Sequence, residues 1–384
     1  MARPLRVVQL LPALDAGGVE RSTLEIAAAL TAAGHRAVVI SAGGRLLPAL
    51  LASGAEHIAL PIGRKSPWSL RHIPTLRRIF REVEADIVHA RSRLPAWLTV
   101  AALRGMSRND NRRVPHFVTT VHGLNSPGRY SRVMTRGERV ICVSETVRAY
   151  LLRQYPELDS ARLVVIPRGV DAAEFPRGFM PDPGWRAQFE NEFPQLAGGR
   201  LLLLPGRGTR LKGHAHALRL LTGLRASGVD ARLLLAGAEQ SGRERYLAEL
   251  RAQIAAAGLQ QHVVITPPRA DMRELYAASE LVLQLSDKPE AFGRSVLEAL
   301  AIGRPVLGWD HGGVGELLRA LYPAGAVPLH DAAQLAARAR DLLADSAATI
   351  ASRPDAPALP DRYTLARMQH DTLALYADLA HCDD

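Results

Sequence analysis

Two glutamates, Glu290 and Glu298, lie eight residues apart in Pro289-Glu-Ala-Phe-Gly-Arg-Ser-Val-Leu-Glu298, which runs on to Gly303-Arg-Pro305. An acid in a loop, a Gly-containing turn, a helix start, a second acid on that helix and a Gly-x-Pro stop form one unit. Free backbone N–H groups at such a helix start suit a phosphate. A carboxylate one turn in, at Glu298, can accept hydrogen bonds from a vicinal diol such as a ribose. Glu290, in the loop, can reach a second polyol. The helix is expected to begin near Gly293 to Ser295.

A second group of chemistry-bearing residues is Gly206-Arg207-Gly-Thr-Arg-Leu-Lys212-Gly213, between a strand and a helix. Two cations beside a helix N-terminus suit a diphosphate, whose charge must be neutralised when it leaves. The order is not that of a P-loop. Near the start of the chain, Gly17 and Gly18 precede another helix, where backbone can approach a ligand closely. This is not G-x-G-x-x-G, and no acid follows at the spacing that holds a dinucleotide ribose. Thr119-Thr-Val-His122-Gly123 ends a strand; His122 there can hydrogen-bond a sugar or act as a general base. His89-Ala-Arg91-Ser-Arg93 ends another strand, and Arg91 and Arg93 are candidates to bind an anionic acceptor. The loop Asp310-His-Gly-Gly313-Val-Gly-Glu316 again places glycines between strand and helix.

These residues need a scaffold that presents strand ends and helix starts. The 384 residues suit two domains, and a hydrophobic fraction of 47% is ordinary for a globular protein. Strands are expected at 5–11, 37–41, 56–60, 86–90, 116–121, 139–143 and 162–166. A second series is expected at 200–205, 232–236, 262–266, 281–285, 305–309 and 325–329. Amphipathic helical stretches separate them, including Val19 to Ala33, Ser69 to Val83, Glu145 to Gln154, Lys212 to Ala226 and Arg243 to Ala257. The alternation implies βαβ units and parallel sheets covered on both faces. The fold expected is α/β, two doubly wound Rossmann-like domains facing a cleft. Their bounds are 1–170 and 171–360, with a linker around 168–182 and a final helix at 361–384 crossing back to the first domain.

Net charge is +10, and it is unevenly placed. Residues 1–170 hold 25 Lys+Arg against 12 Asp+Glu, whereas residues 171–384 hold 23 against 26. The excess gathers in Arg71, Arg77, Arg78 and Arg81, in Arg108, Arg112 and Arg113, and in Arg129, Arg132, Arg136 and Arg139. Such a half is either solvated surface or a face for an anionic partner. No apolar run is long enough to span a membrane, and Leu5 to Leu11 reads as a strand rather than a signal peptide. Cys142 and Cys382 form no metal spacing and no disulfide framework, so a reducing, cytoplasmic location is expected.

Taken in order, the Gly17-Gly18 loop, Thr-Val-His-Gly at 120–123, Val143-Ser-Glu-Thr-Val147, Val165-Ile-Pro-Arg-Gly-Val-Asp171, the Gly-Arg-x4-Lys-Gly turn and the E-x7-E pair resemble the retaining glycosyltransferases of family 4, which have the GT-B fold. The likeness covers nearly the whole chain. It implies that Arg207 and Lys212 bind the donor diphosphate, that Glu298 holds the ribose and that Glu290 contacts the donor sugar. Backbone around Phe292, Gly293 and Arg294 would touch sugar and phosphate. Gly17 and Gly18 would approach the diphosphate, and His122 the sugar near its reacting carbon. The resemblance further implies a same-face substitution in which the leaving phosphate helps deprotonate the acceptor, with Glu290 orienting rather than attacking. No cofactor is implied, and no metal: Asp-x-Asp is absent and the two cations supply the charge. UDP is the donor nucleotide expected, on family frequency rather than on any residue.

Arg91-Ser-Arg-Leu-Pro-Ala-Trp97, Arg136-Gly-Glu-Arg139 and Trp309-Asp-His-Gly-Gly-Val-Gly-Glu316 look like the branch that builds lipopolysaccharide core. That implies transfer of a hexose-type sugar to a glycan or lipid-linked glycan, with peripheral contact to an anionic inner-membrane leaflet. Two departures stand out. Arg168 replaces the usual Asn, a change expected to alter local contacts rather than the reaction. Pro267-Pro268 replaces a Gly near the nucleobase, which leaves base choice open. The competing readings are a GT-B nucleotide-sugar epimerase and a basic nucleic-acid binder; no nucleic-acid motif supports the latter.

Overall fold

A computed structural model describes residues 3–15, 17–64, 66–106, 114–344 and 359–381. Arg108, Arg112, Arg113 and Cys382 lie outside the described residues. The chain divides into two compact units, residues 1–169 with 365–384, and residues 170–364. The last described helix starts at Leu365.

The first unit runs β1 (Arg6–Leu10), α1 (Gly18–Ala32), β2 (Arg36–Ser41), α2 (Leu47–Ala52), β3 (Glu56–Ala59), α3 (His72–Glu82), β4 (Ile87–Ala90), α4 (Arg93–Arg104), β5 (His116–Val121), β6 (Arg139–Cys142), α5 (Glu145–Gln154) and β7 (Leu163–Val165). Its seven strands lie in the order β3-β2-β1-β4-β5-β6-β7, and every pairing is parallel. Alternate side chains leave a strand on opposite faces. Val7, Val39 and Ile87 therefore join one core with Ile26 and Leu30 of α1. Their neighbours Val8, Val38 and Val88 join another with Leu76 and Phe80 of α3 and Leu98 of α4. Burial on both faces explains why these strands read as unbroken apolar runs.

The second unit runs α6 (Pro183–Glu192), β8 (Arg200–Pro205), α7 (His214–Ala226), β9 (Ala231–Ala236), α8 (Glu244–Ala256), β10 (Val263–Thr266), α9 (Met272–Ala278), β11 (Leu281–Gln284), α10 (Arg294–Ile302), β12 (Val306–Trp309), α11 (Gly312–Leu321), β13 (Ala326–Val327) and α12 (Ala332–Ala344). Its sheet order is β10-β9-β8-β11-β12-β13, again parallel throughout. Beyond it, α13 (Leu365–His381) belongs to the first unit. There Met368, Leu375, Tyr376 and Leu379 are buried in the α1 side of the core.

α6 follows directly on the expected linker around 168–182, where no helix was anticipated. Asp182 caps it, accepting from the Gly184 N–H at 2.7 Å, and Pro183 occupies its first turn. No helix among the described residues is long and apolar enough to cross a membrane. Cys142 is a free, buried thiol whose pKa burial pushes up to about 12.

Candidate functional site

In the second unit the turn after β8 meets the loop after β11. Gly213 makes the close approach possible. Its φ is +76°, and a Cβ there would stand 1.8 Å from the Leu285 carbonyl oxygen. Lys212, just before it, donates from Nζ to Glu290 Oε1 at 2.5 Å, and Ser286 Oγ lies 2.5 Å from the same oxygen. The ion pair is partly exposed, at 21% for Lys212 and 24% for Glu290. Burial alone would raise the Glu290 carboxyl pKa; Lys212, Ser286 and the nearby charge of Arg207 together hold it below its usual value. Arg207 itself is exposed. Glu290 is therefore an ionised, tethered carboxylate rather than a free acid.

α10 begins at Arg294, with Gly293 at its N-cap in the left-handed region, φ +113°. A Cβ on Gly293 would sit 3.0 Å from Val314, so glycine lets α11 pack against this helix start. Phe292 is buried, its ring 6.4 Å from that of Tyr363. Glu298, one turn into α10, is 7% exposed. Its Oε1 accepts from Arg294 Nε at 2.9 Å, and its Oε2 from the Tyr276 hydroxyl of α9 at 2.9 Å. The sequence reading missed Tyr276; the Arg294 contact is an i, i+4 pair and was legible by spacing. Glycines of the 310–316 loop serve packing: Gly313 donates its N–H to Glu290 O at 2.8 Å, and a Cβ there would meet Ala291 O at 2.5 Å.

In the first unit a cavity of about 260 Å³ is lined by Val19, Arg91, Arg93, Thr120, His122 and Asn125, among others. Arg91 is buried. Its Nε donates to Gln9 Oε1 at 2.7 Å and its Nη1 to Ser22 Oγ at 3.2 Å, while Nη2 finds no acceptor. Arg93 donates to Ser131 Oγ at 3.3 Å and stacks 5.2 Å from the Tyr130 ring centroid. Arg168 is buried and donates to His122 Nδ1. A neutral His122 with an acceptor Nδ1 carries its proton on Nε2, and that buried atom has no partner. Burial first, then the charges on Arg168 and Arg91, hold the His122 pKa well below its usual value. His122 is thus set to donate a hydrogen bond, not to take a proton.

His89 does not join this cavity. Its Nδ1 lies 2.5 Å from the Tyr376 hydroxyl of α13 and its Nε2 2.7 Å from Thr120 Oγ1, so both ring nitrogens are engaged in the core. Gly17, φ +149°, caps α1. Both glycines are exposed, but a Cβ on Gly17 would meet Glu20 Oε2 at 2.6 Å, whereas one on Gly18 would meet nothing within 4 Å. Packing does not require glycine at 18. Among the basic residues, Arg77 donates to Ala102 O at 3.2 Å, and Arg136 stacks 5.2 Å from the Trp97 ring centroid. Arg71, Arg78 and Arg129 are exposed.

Family models match both parts of the chain: one described as Glycosyltransferase Family 4 over residues 16–174, the other as Glycosyl transferases group 1 over residues 187–354. The D-inositol 3-phosphate glycosyltransferase of Jonesia denitrificans is 28% identical over 314 residues, 76% of this chain and 71% of that protein. The protein of the same name from Nocardia farcinica is 28% identical over 258 residues, 61% of this chain and only 53%, about half, of its own length. Among solved structures, a glycosyltransferase from Rickettsia africae superposes with a TM-score of 0.82 at 26% identity, covering 98% of this chain and 99% of that one. Anabaena Alr3699/HepE in complex with UDP and glucose gives 0.81 at 21% identity over 97% and 99%. WaaG, a glycosyltransferase involved in lipopolysaccharide biosynthesis, gives 0.71 at 20% over 95% and 99%. The latter two identities speak for the fold alone. With two parallel α/β units and both family models matched in order along its length, the chain belongs to the family 4 glycosyltransferases of the GT-B fold.

Proposed function

We propose that this glycosyltransferase moves a hexose-type sugar from UDP to an anionic glycan acceptor, with retention of configuration and without a catalytic metal. The observation that carries the donor assignment is the Lys212–Glu290 pair beside Arg207 at the start of α10. Two cations and a helix N-terminus suit a diphosphate, whose charge grows as the sugar departs. Arg207 and Lys212 would stabilise that leaving group, with backbone of Phe292, Gly293 and Arg294 against sugar and phosphate. Glu298, held in place by Tyr276 and Arg294, would hold the ribose hydroxyls. In the step proposed, the acceptor oxygen bonds to the anomeric carbon, the bond from that carbon to the diphosphate breaks on the same face, and the acceptor proton passes to the departing phosphate. Glu290, ionised and tied to Lys212, orients the sugar. The bound UDP and glucose named for the Anabaena structure support the nucleotide choice.

The first-unit cavity suits the acceptor, with Arg91 and Arg93 for negative charge and His122 Nε2–H for a sugar hydroxyl. Gly18, for which packing gives no reason, fits a close backbone approach to ligand. The acceptor we favour is lipopolysaccharide core on an anionic leaflet. Trp68 and Leu70 are 76% and 61% exposed and are followed in the chain by exposed Arg71 and, on α3, by exposed Arg78, a combination suited to a membrane surface. A second reading, a small phosphorylated polyol, is favoured by the modest cavity volume and by the name of the relatives.

A thermal-shift screen of UDP-, GDP- and ADP-sugars tests the donor reading. Stabilisation by a UDP-sugar, absent in Lys212→Ala and Glu298→Ala, is expected; no stabilisation by any nucleotide sugar would overturn it. Vesicle flotation with anionic and neutral lipid tests the membrane reading. Binding to neither, or binding unchanged by charge reversal at Arg71, Arg78 and Arg81, would leave the soluble phosphorylated acceptor.

A further inference from the structure

Three side chains that the donor chemistry does not use converge in the second unit. His216 lies in the first turn of α7, Asp287 in the loop after β11 and His330 between β13 and α12. His216 Nε2 lies 2.6 Å and His330 Nε2 3.0 Å from the same oxygen, Asp287 Oδ1. The three atoms all fall within 4.8 Å of one another, the one such group of His, Cys, Asp or Glu among the described residues.

The geometry points to a site for a divalent transition-metal cation, zinc in the first instance, held by His216, Asp287 and His330 with a fourth position open.

The ligand types suit zinc or a neighbouring first-row cation; calcium and magnesium prefer all-oxygen sites. Ligand atoms about 2.0–2.1 Å from a tetrahedral zinc stand about 3.3 Å apart. The present separations of 2.6 and 3.0 Å need to open by about 0.7 and 0.3 Å, within reach of side-chain rotation at the partly exposed Asp287 and His330. Scaffold contacts already aim the three groups. The two imidazoles stack at 5.1 Å with 19° between their planes, and the buried Trp309 meets both edge-on, at 5.3 and 5.9 Å. Trp309 is itself anchored by Nε1 donating to Leu285 O at 3.1 Å. The Asp287 N–H donates to Leu211 O at 2.9 Å, which fixes its backbone to the turn before α7. His330 holds φ +64°, unusual for a non-glycine residue, and so carries its ring back toward Asp287.

Without a cation, each Nε2–H donates to the shared carboxylate oxygen. On binding, both rings move their proton to Nδ1 and turn the Nε2 lone pair to the metal. Arg219 now donates to His216 Nδ1 at 2.7 Å and must swing away, which its exposed position allows. Because Asp287 shares its loop with Glu290, the cation would clamp that loop to α7 and the β13 turn.

Tag-free, EDTA-stripped full-length protein titrated with zinc chloride by isothermal calorimetry tests this, with cobalt(II) absorption as a second readout of coordination. One equivalent of zinc is expected, with a tetrahedral cobalt spectrum. Asp287→Asn and His330→Gln should each weaken zinc binding by more than about tenfold. His330 is half exposed, so its variant should melt like the metal-free wild type. Absence of saturable zinc binding would overturn the proposal. So would stoichiometric binding that both variants leave unchanged, which would place the cation elsewhere on the chain.

Discussion

Replacing Lys212 with Met keeps the alkyl stem, which packs beside Gly206, and removes only the charge. The structure then allows the consequence to be worked out. Glu290 loses a 2.5 Å charge-assisted hydrogen bond, while Ser286 and the charge of Arg207 remain. Hydrogen bonds to charged groups contribute about 1.5–3 kcal/mol. Partial exposure and the surviving partners reduce this to about 1–2 kcal/mol. For a unit of this size, each kcal/mol moves Tm by about 2–4 °C, so the melt should fall by about 2–8 °C. The pH dependence has a definite sign. In the wild type the Glu290 pKa is depressed, so its contribution is present at neutral pH and is lost as pH falls through that depressed value. In Lys212→Met burial is no longer offset by Lys212 and the carboxyl pKa climbs. The variant should therefore be most destabilised near neutrality and should approach the wild type as the carboxyl protonates in acid. Glu290→Gln should add little to a protein already carrying Lys212→Met. UDP affinity, by calorimetry, should fall by about tenfold to a hundredfold, the loss of one charged contact to the diphosphate. A folded Lys212→Met protein whose UDP affinity stays within about twofold of the wild type would refute the reasoning.

Gly213→Ala should fail to fold or lose more than about 3 kcal/mol by chemical denaturation, since its Cβ would collide with the Leu285 carbonyl in a left-handed backbone. Gly18→Ala should melt within about 0.5 kcal/mol of the wild type yet weaken ligand binding, because nothing in the fold occupies the space of its Cβ. Removing Arg168 as Arg168→Leu should raise the His122 pKa, followed by NMR titration, although burial still keeps it below its usual value; an unshifted resonance would contradict the contact. Truncation before Leu365 should unfold the first unit. Besides Ala380 it strips four large buried side chains, Met368, Leu375, Tyr376 and Leu379, worth about 1.5–3 kcal/mol each, comparable in total with a whole domain's stability of about 5–15 kcal/mol.

The sheets were legible because strands buried on both faces appear as uninterrupted Val, Ile and Leu runs between turn residues. All thirteen fall within a residue or two of the expected positions, except that β13 is cut to two residues, Ala326–Val327. The helix at Pro183–Glu192, just past the expected linker around 168–182, was not anticipated: Pro183, Gly184 and the aromatic residues give no clear amphipathic pattern, and its start is set by the Asp182 cap. Glu290 and Lys212 were each recognisable by local setting, but their contact spans 78 positions and comes only from the approach of β8 to β11. His89 ends its strand just as His122 does. What separates them is Tyr376, 287 residues later, whose hydroxyl takes His89 into the core. Arg168, expected to alter only local contacts, lies directly on His122 and sets which ring nitrogen keeps the proton.

The most direct test of the central claim is the structure of the protein crystallised with UDP. The diphosphate should lie against Lys212, Arg207 and the backbone of Gly293 and Arg294, with the ribose hydroxyls on Glu298. UDP bound in the second unit away from both Lys212 and Glu298, or no UDP at saturating concentration, would contradict the account.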